Sequence, residues 1–129
     1  KKQENEHIEF VSHLDNISEF MKRSDLVISA GGTTIYELCA VGVPTILYSV
    51  AENQVSEASY LSQIETVPYC GFVNDSDFWN RLFRILQTLI ESYSLRTSIS
   101  LKMRNVVDGY GAYNIACEIE SYIGGKADV

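Results

Sequence analysis

The chain has 129 residues, 46% hydrophobic and 21% charged, with a net charge of −7; this suits one domain with a real core and argues against nucleic acid, whose phosphates need clustered Lys and Arg. No apolar run approaches the ~20 residues that span a bilayer, and Lys1-Lys2-Gln3-Glu4-Asn5-Glu6 leads into no apolar signal segment, so a cytoplasmic protein without a membrane span is expected. Cys39, Cys70 and Cys117 are scattered and odd in number, so no disulfide framework and no metal site is expected.

In chain order, residues 7–11 read as a short strand with Ile8, Phe10 and Val11 as its apolar members. Asp15 or Asn16 is placed to cap a helix carrying Ile17, Phe20 and Met21, with Lys22 and Arg23 in its last turn. Residues 26–29 form a second strand, and the turn Gly31-Gly32-Thr33-Thr34 follows. A helix over 35–41 ends at Gly42 and Pro44. Residues 45–50 are a third strand, and Asn53 or Ser56 starts a helix to about 64. Residues 69–73 are a weaker fourth strand. Phe78, Leu82, Phe83, Leu86, Leu89 and Ile90 then repeat at three and four residues, the pattern of an amphipathic helix. Further helices cover 95–107 and the region of Ile115, Ala116, Ile119 and Tyr122, and the tail 124–129 reads as frayed.

Strands that alternate with helices and are nearly continuous in apolar residues predict an α/β layered domain with a parallel sheet covered on both faces. Ligands of such sheets sit beyond the C-terminal ends of the strands. Two polar loops fall on that edge, Gly31-Gly32-Thr33-Thr34 and Ala51-Glu52-Asn53-Gln54. The first lacks the lysine of a Walker loop and the spacing of a dinucleotide fingerprint. It still offers glycines for close backbone approach and the free N–H groups of a helix start. The rival reading is a capping box, with Thr34 as N-cap and Glu37 three residues on. Glu37 divides the same way, between reaching back to the cap and accepting ribose hydroxyls. Asn53 and Gln54 read either as a cap and first-turn pair or as amides facing a sugar. His13 follows the first strand on the same edge, as a surface residue or a ligand contact. No nucleophile and base assemble, so no catalytic residue is assigned.

The runs Asp25-Leu26-Val27-Ile28-Ser29-Ala30-Gly31-Gly32-Thr33-Thr34-Ile35-Tyr36-Glu37-Leu38, Gly42-Val43-Pro44-Thr45 and Ala51-Glu52-Asn53-Gln54 resemble the C-terminal domain of GT-B nucleotide-sugar enzymes. The broad group includes MurG-type glycosyltransferases. The closer likeness is to the PseG/SpsG family of UDP-sugar hydrolases and spore-coat polysaccharide proteins, on the spacing of these loops and on Val107-Asp108-Gly109. The resemblance implies a Rossmann-like three-layer fold over 1–123, incomplete at its N-terminal side. It implies that Gly31, Gly32, Thr33 and Thr34 bind the diphosphate of a UDP-sugar and that Glu37 holds the ribose. Asn53 and Gln54 would face the sugar or diphosphate, and Ser12 and His13 the uracil. From the residues, no cofactor and no metal is expected. The family's catalytic histidine belongs to an N-terminal domain, so the chain looks like an excised C-terminal portion, inactive alone. The implied reaction is hydrolysis of a UDP-sugar with release of UDP, for surface polysaccharide or pseudaminic acid-type sugars. The alternative is the donor-binding domain of a glycosyltransferase, completed by the missing domain or a partner chain.

Overall fold

A computed structural model describes residues 7–124. The tail expected from 124 lies outside them except for Gly124, which ends the last helix. Three strands, β1 (Val27–Ala30), β2 (Thr45–Ser49) and β3 (Tyr69–Phe72), form a parallel sheet in the order β1-β2-β3. Val27 pairs with Thr45 and Ala30 with Tyr48. Leu47 pairs with Tyr69 and Ser49 with Phe72, with an irregularity between them. Six helices accompany the strands: α1 (Ile17–Arg23), α2 (Thr34–Val41), α3 (Glu52–Gln63), α4 (Phe78–Glu91), α5 (Tyr93–Arg104) and α6 (Gly111–Gly124). This is the α/β, Rossmann-like architecture that the alternating pattern predicts.

The central strand explains the layering. Thr45, Ile46, Leu47 and Ser49 of β2 are all buried, which requires cover on both faces of the sheet. Helices α2 and α3 follow β1 and β2, while Phe78 at the start of α4 meets Tyr48 edge-on at 5.9 Å. The core joins Ile35, Leu38 and Cys39 of α2, Ile46 and Leu47 of β2, Leu61 of α3, Leu89 of α4 and Met103 of α5.

The expected strand at 7–11 does not form. That stretch is turn and coil, and Ile8, Phe10 and Val11 are exposed. A strand persists only with a ladder partner, and no described segment pairs with the outer side of β1. At α1, Asn16 does occupy the N-cap but makes no capping bond. Its side chain accepts from Ser18 Oγ instead, at 2.6 Å.

Helix α5 crosses the ends of α2 and α3 and closes the edge at which the strands begin. Ser100 Oγ donates to the carbonyl of Gly42 at 2.6 Å, and Lys102 Nζ reaches Glu65 Oε2 at 3.4 Å. Arg96 donates to the carbonyls of Leu89 and Ile90, the last turn of α4. Ile99 and Met103 complete the seal from inside.

Candidate functional site

At the opposite edge the strands end in open turns. After β1 the Gly31 N–H continues the ladder to Tyr48 O at 2.8 Å, and the Gly32 N–H turns back onto Ala30 O at 2.8 Å. The Ile35 and Tyr36 amides donate to Gly32 O and Thr33 O, both at 3.1 Å. The amides of Thr33 and Thr34, between these, have no acceptor among the described residues. Helix starts leave such donors by construction, and here neither a side chain nor a carbonyl takes them up. They carry the positive end of the α2 dipole.

Gly31 is buried, and its lack of a side chain has a local cause. A Cβ built there would stand 3.4 Å from Ala58 Cβ and 3.5 Å from Gln54 O. The turn therefore rests on the first turns of α3, and two helix starts come together at one place. Gly32 faces the other way: a Cβ there meets nothing within 4 Å.

The capping box is not formed. Thr33, not Thr34, is the N-cap residue, already in helical geometry at φ −57° and ψ −24°, and no side chain caps the helix. The tight Gly-Gly reversal starts α2 one residue early, so the Thr34–Glu37 spacing no longer spans cap to third residue. Glu37 is exposed on the first turns of α2.

At α3 the N-cap is Ala51, so neither Asn53 nor Ser56 starts the helix. Asn53 is exposed within the first turn. Gln54 is half-buried, and its Oε1 accepts from the Val50 N–H at 3.0 Å. Its amide nitrogen is the half left to donate outward. Ser12 and His13 are exposed, and His13 adopts a left-handed φ of 59°, uncommon for a residue with a Cβ. Neither lines the groove next to the turn. Leu14, which follows them, does: with Ile17, Phe20, Ile28 and Thr34 it borders a groove of about 310 Å³ between α1 and β1.

One pair near the site escapes sequence reasoning. Exposed Tyr36 on α2 faces Glu57 on α3, and that carboxylate first, with desolvation second, raises the Tyr36 pKa. The two residues lie on separate helices, and only the shared placement of α2 and α3 brings them together. Away from this edge, burial pushes the Cys39 thiol up to about 11 and raises that of Cys70. Among the described residues no group of His, Cys, Asp or Glu side chains is arranged to hold a metal ion, and no helix is long and apolar enough to cross a membrane.

A family model of the glycosyltransferase family 28 C-terminal domain matches residues 1–74. The chain is similar to the spore coat polysaccharide biosynthesis protein SpsG of Bacillus subtilis, 27% identical over 113 residues that cover 85% of this chain and 32% of SpsG. It is also similar to the UDP-N-acetylglucosamine--N-acetylmuramyl-(pentapeptide) pyrophosphoryl-undecaprenol N-acetylglucosamine transferase of Helicobacter pylori strain J99, 32% identical over 116 residues covering 84% of this chain and 33% of the transferase. With the HPAG1 strain's transferase it shares 47% identity over 49 residues, 36% of this chain and 14% of that protein. The chain thus spans about a third of the length of SpsG and of the J99 transferase. No solved structure matches.

Proposed function

The chain belongs to the glycosyltransferase family 28 C-terminal domain family, and on that premise we propose that it binds the nucleotide half of a UDP-sugar donor for a glycosyl transfer completed by another domain or partner chain. The observation that carries this reading is the pair of Thr33 and Thr34 amides without acceptors, at the start of α2 and against α3. Backbone donors on a helix dipole suit a diphosphate without any lysine, which is how a chain of net charge −7 can hold one.

In this reading the Thr33 and Thr34 amides and hydroxyls take the diphosphate, and Gly31 and Gly32 let it approach. Glu37, released from capping, accepts the ribose hydroxyls. Asn53 and the free amide nitrogen of Gln54 donate to the sugar or diphosphate, and the Ser12–His13 loop lies toward the uracil. As the bond to the sugar breaks, charge grows on the departing UDP, and the α2 helix start stabilises it. The groups that hold the acceptor belong to the completing domain, and the isolated chain turns nothing over. The relatives' printed names support a UDP-N-acetylhexosamine donor and a surface-polysaccharide product. On this reading the work is cytoplasmic.

A second reading, hydrolysis of the same donor, draws on the likeness to SpsG, whose printed name specifies no transfer. The transferase reading ranks first because the family model and the J99 relative both name transferases. A completed enzyme separates the two: water as sole acceptor means hydrolysis, while a required sugar or lipid acceptor means transfer.

The binding reading is tested by amide NMR of the chain titrated with UDP, with UMP, GDP and CMP as controls. The largest shifts are expected at Thr33 and Thr34 with UDP, reduced with UMP. Equal shifts with every nucleotide, or shifts confined elsewhere, would remove the site. If the isolated chain shows none, the titration is repeated in the presence of the completing domain or partner chain, with the Glu37→Ala variant beside it.

A further inference from the structure

A glutamine side chain presents a carbonyl oxygen or an NH2 group, and a half-turn of the carboxamide exchanges the two. At the open edge that choice matters, because an oxygen turned outward would repel an anionic ligand. Gln54 Oε1 is taken by the Val50 N–H at 3.0 Å, so Nε2 is what remains to face outward. The orientation of this donor therefore depends on where Val50 stands.

Val50 follows the last residue of β2, and that residue is held twice. Ser49 is fully buried. Its carbonyl accepts from the Val73 N–H at 2.9 Å, and its Oγ accepts from the Tyr69 hydroxyl at 3.0 Å. Tyr69 lies 20 positions away in the chain and reaches Ser49 through the register. It pairs with Leu47, two residues before Ser49, so both side chains leave the same face of the sheet.

Between the pairs Leu47–Tyr69 and Ser49–Phe72, β3 advances three residues where β2 advances two. Gly71, inside this step, has a left-handed φ of 97°. Bulges of this kind re-aim side chains beside functional sites. Helix α4 clamps this one. Arg81 Nε donates to the Cys70 carbonyl at 2.8 Å, and Arg81 pairs with Asp75, whose Oδ2 accepts from the Phe72 N–H at 3.2 Å. From Arg81 to Gln54, every bond of this series joins described residues.

We propose that Tyr69 is a positioning residue for the binding site: through Ser49 and Val50 it holds Gln54 with the NH2 group outward. The inference rests on the UDP-sugar reading above and adds a direction to it. The ligand atom opposite Gln54 is an acceptor, such as a phosphate, acetamido or hydroxyl oxygen. Tyr69 itself meets no ligand, because its hydroxyl is used on Ser49.

The test has two arms. The first needs no ligand: hydrogen exchange at the Val50 amide and the side-chain NH2 resonances of Gln54, in the 129-residue chain and in Tyr69→Phe. Losing the hydroxyl should speed Val50 exchange at least about threefold and move the Gln54 resonances. The second arm is UDP affinity, in the same preparation as the titration above. Tyr69→Phe should weaken it about three- to tenfold. Gln54→Glu keeps an oxygen for Val50 but loses the donor, and should weaken UDP binding more than Tyr69→Phe does. In a Gln54→Ala background Tyr69→Phe should cost nothing further, which a merely structural tyrosine would not produce. Unchanged Val50 and Gln54 signals in Tyr69→Phe overturn the proposal. So does unchanged affinity, or the same loss with and without Gln54. A parent that binds no UDP in any preparation, while the first arm still responds, removes the binding reading and this proposal with it.

Discussion

The two edges of the sheet differ in what their backbone groups do. Where the strands begin, α5 lies across the helix ends, Ser100 and Arg96 occupy exposed carbonyls, and Ile99 and Met103 are sealed in. Where the strands end, two amides at the start of α2 have no acceptor, and the side-chain amide of Gln54 is only half engaged. One edge is satisfied by the chain itself; at the other, backbone donors are left over. In the binding reading proposed above the same sheet separates stability from binding, and substitutions at the two edges are then expected to move different quantities.

The largest effect falls on the closed edge. Met103 is fully buried between α5 and the core. Met103→Ala is expected to lower unfolding free energy by about 2–5 kcal/mol, read from the urea midpoint. Any UDP affinity of the fraction still folded should not change; a selective loss of binding would show that the edges are coupled. A comparable loss is expected from pH. The Cys39 thiol, fully buried in α2, is raised from 9.0 to about 11 in the folded chain. Its folded pKa exceeds the unfolded one, so its contribution is intact below pH 9 and lost as pH rises toward 11, about 2 kcal/mol over that window. Cys39→Ala should flatten this part of the stability profile, and a profile as steep as that of the parent chain would assign the loss to other groups.

A smaller effect tests how the edge is closed. Gly42 ends α2 with φ 75°, and a Cβ there would overlap the side chain of Arg104 from α5. Gly42→Ala is expected to cost about 2 kcal/mol, from left-handed strain plus displacement of Arg104. Adding Arg104→Ala should return the part due to overlap and leave the strain. If the double variant is no more stable than the single one, α5 does not press on this turn.

Most of the closed edge is legible in the sequence. Gly42 and Pro44 mark the end of α2, and the three-and-four spacing from Phe78 to Ile90 marks α4. That Ser100 meets Gly42 is not legible, because the contact joins residues 58 positions apart. The open edge is legible in composition but not in detail. The Gly-Gly-Thr-Thr turn announces a helix start, yet the start falls on Thr33 because that residue already has helical angles. Gln54 is visible as a polar residue, whereas its bond to Val50 depends on how the loop folds back. The apolar run at residues 7–11 misleads, since alternation predicts a strand only where a neighbouring strand exists to pair with it. The tyrosine–carboxylate contact from Tyr36 to Glu57 has no local signature at all.

The smallest stability effect is the most informative about the open edge. Gly31 and Gly32 are adjacent, but a Cβ on Gly31 meets Ala58 and Gln54, whereas a Cβ on Gly32 meets nothing within 4 Å. Gly32→Ala should leave stability within about 0.5 kcal/mol, or raise it slightly through the unfolded chain. The new methyl group would stand in open space beside the amides of Thr33 and Thr34. If a diphosphate comes to those amides, that methyl obstructs it, and UDP affinity should fall about tenfold or more with no change in the urea midpoint. Gly31→Ala should instead shift both, because its Cβ reaches α3 before it reaches any ligand. Unchanged UDP binding in Gly32→Ala would mean that the space above Gly32 is not the route of approach. The amides of Thr33 and Thr34 would then be solvated helix ends, and the contrast between the two edges would be one of packing alone.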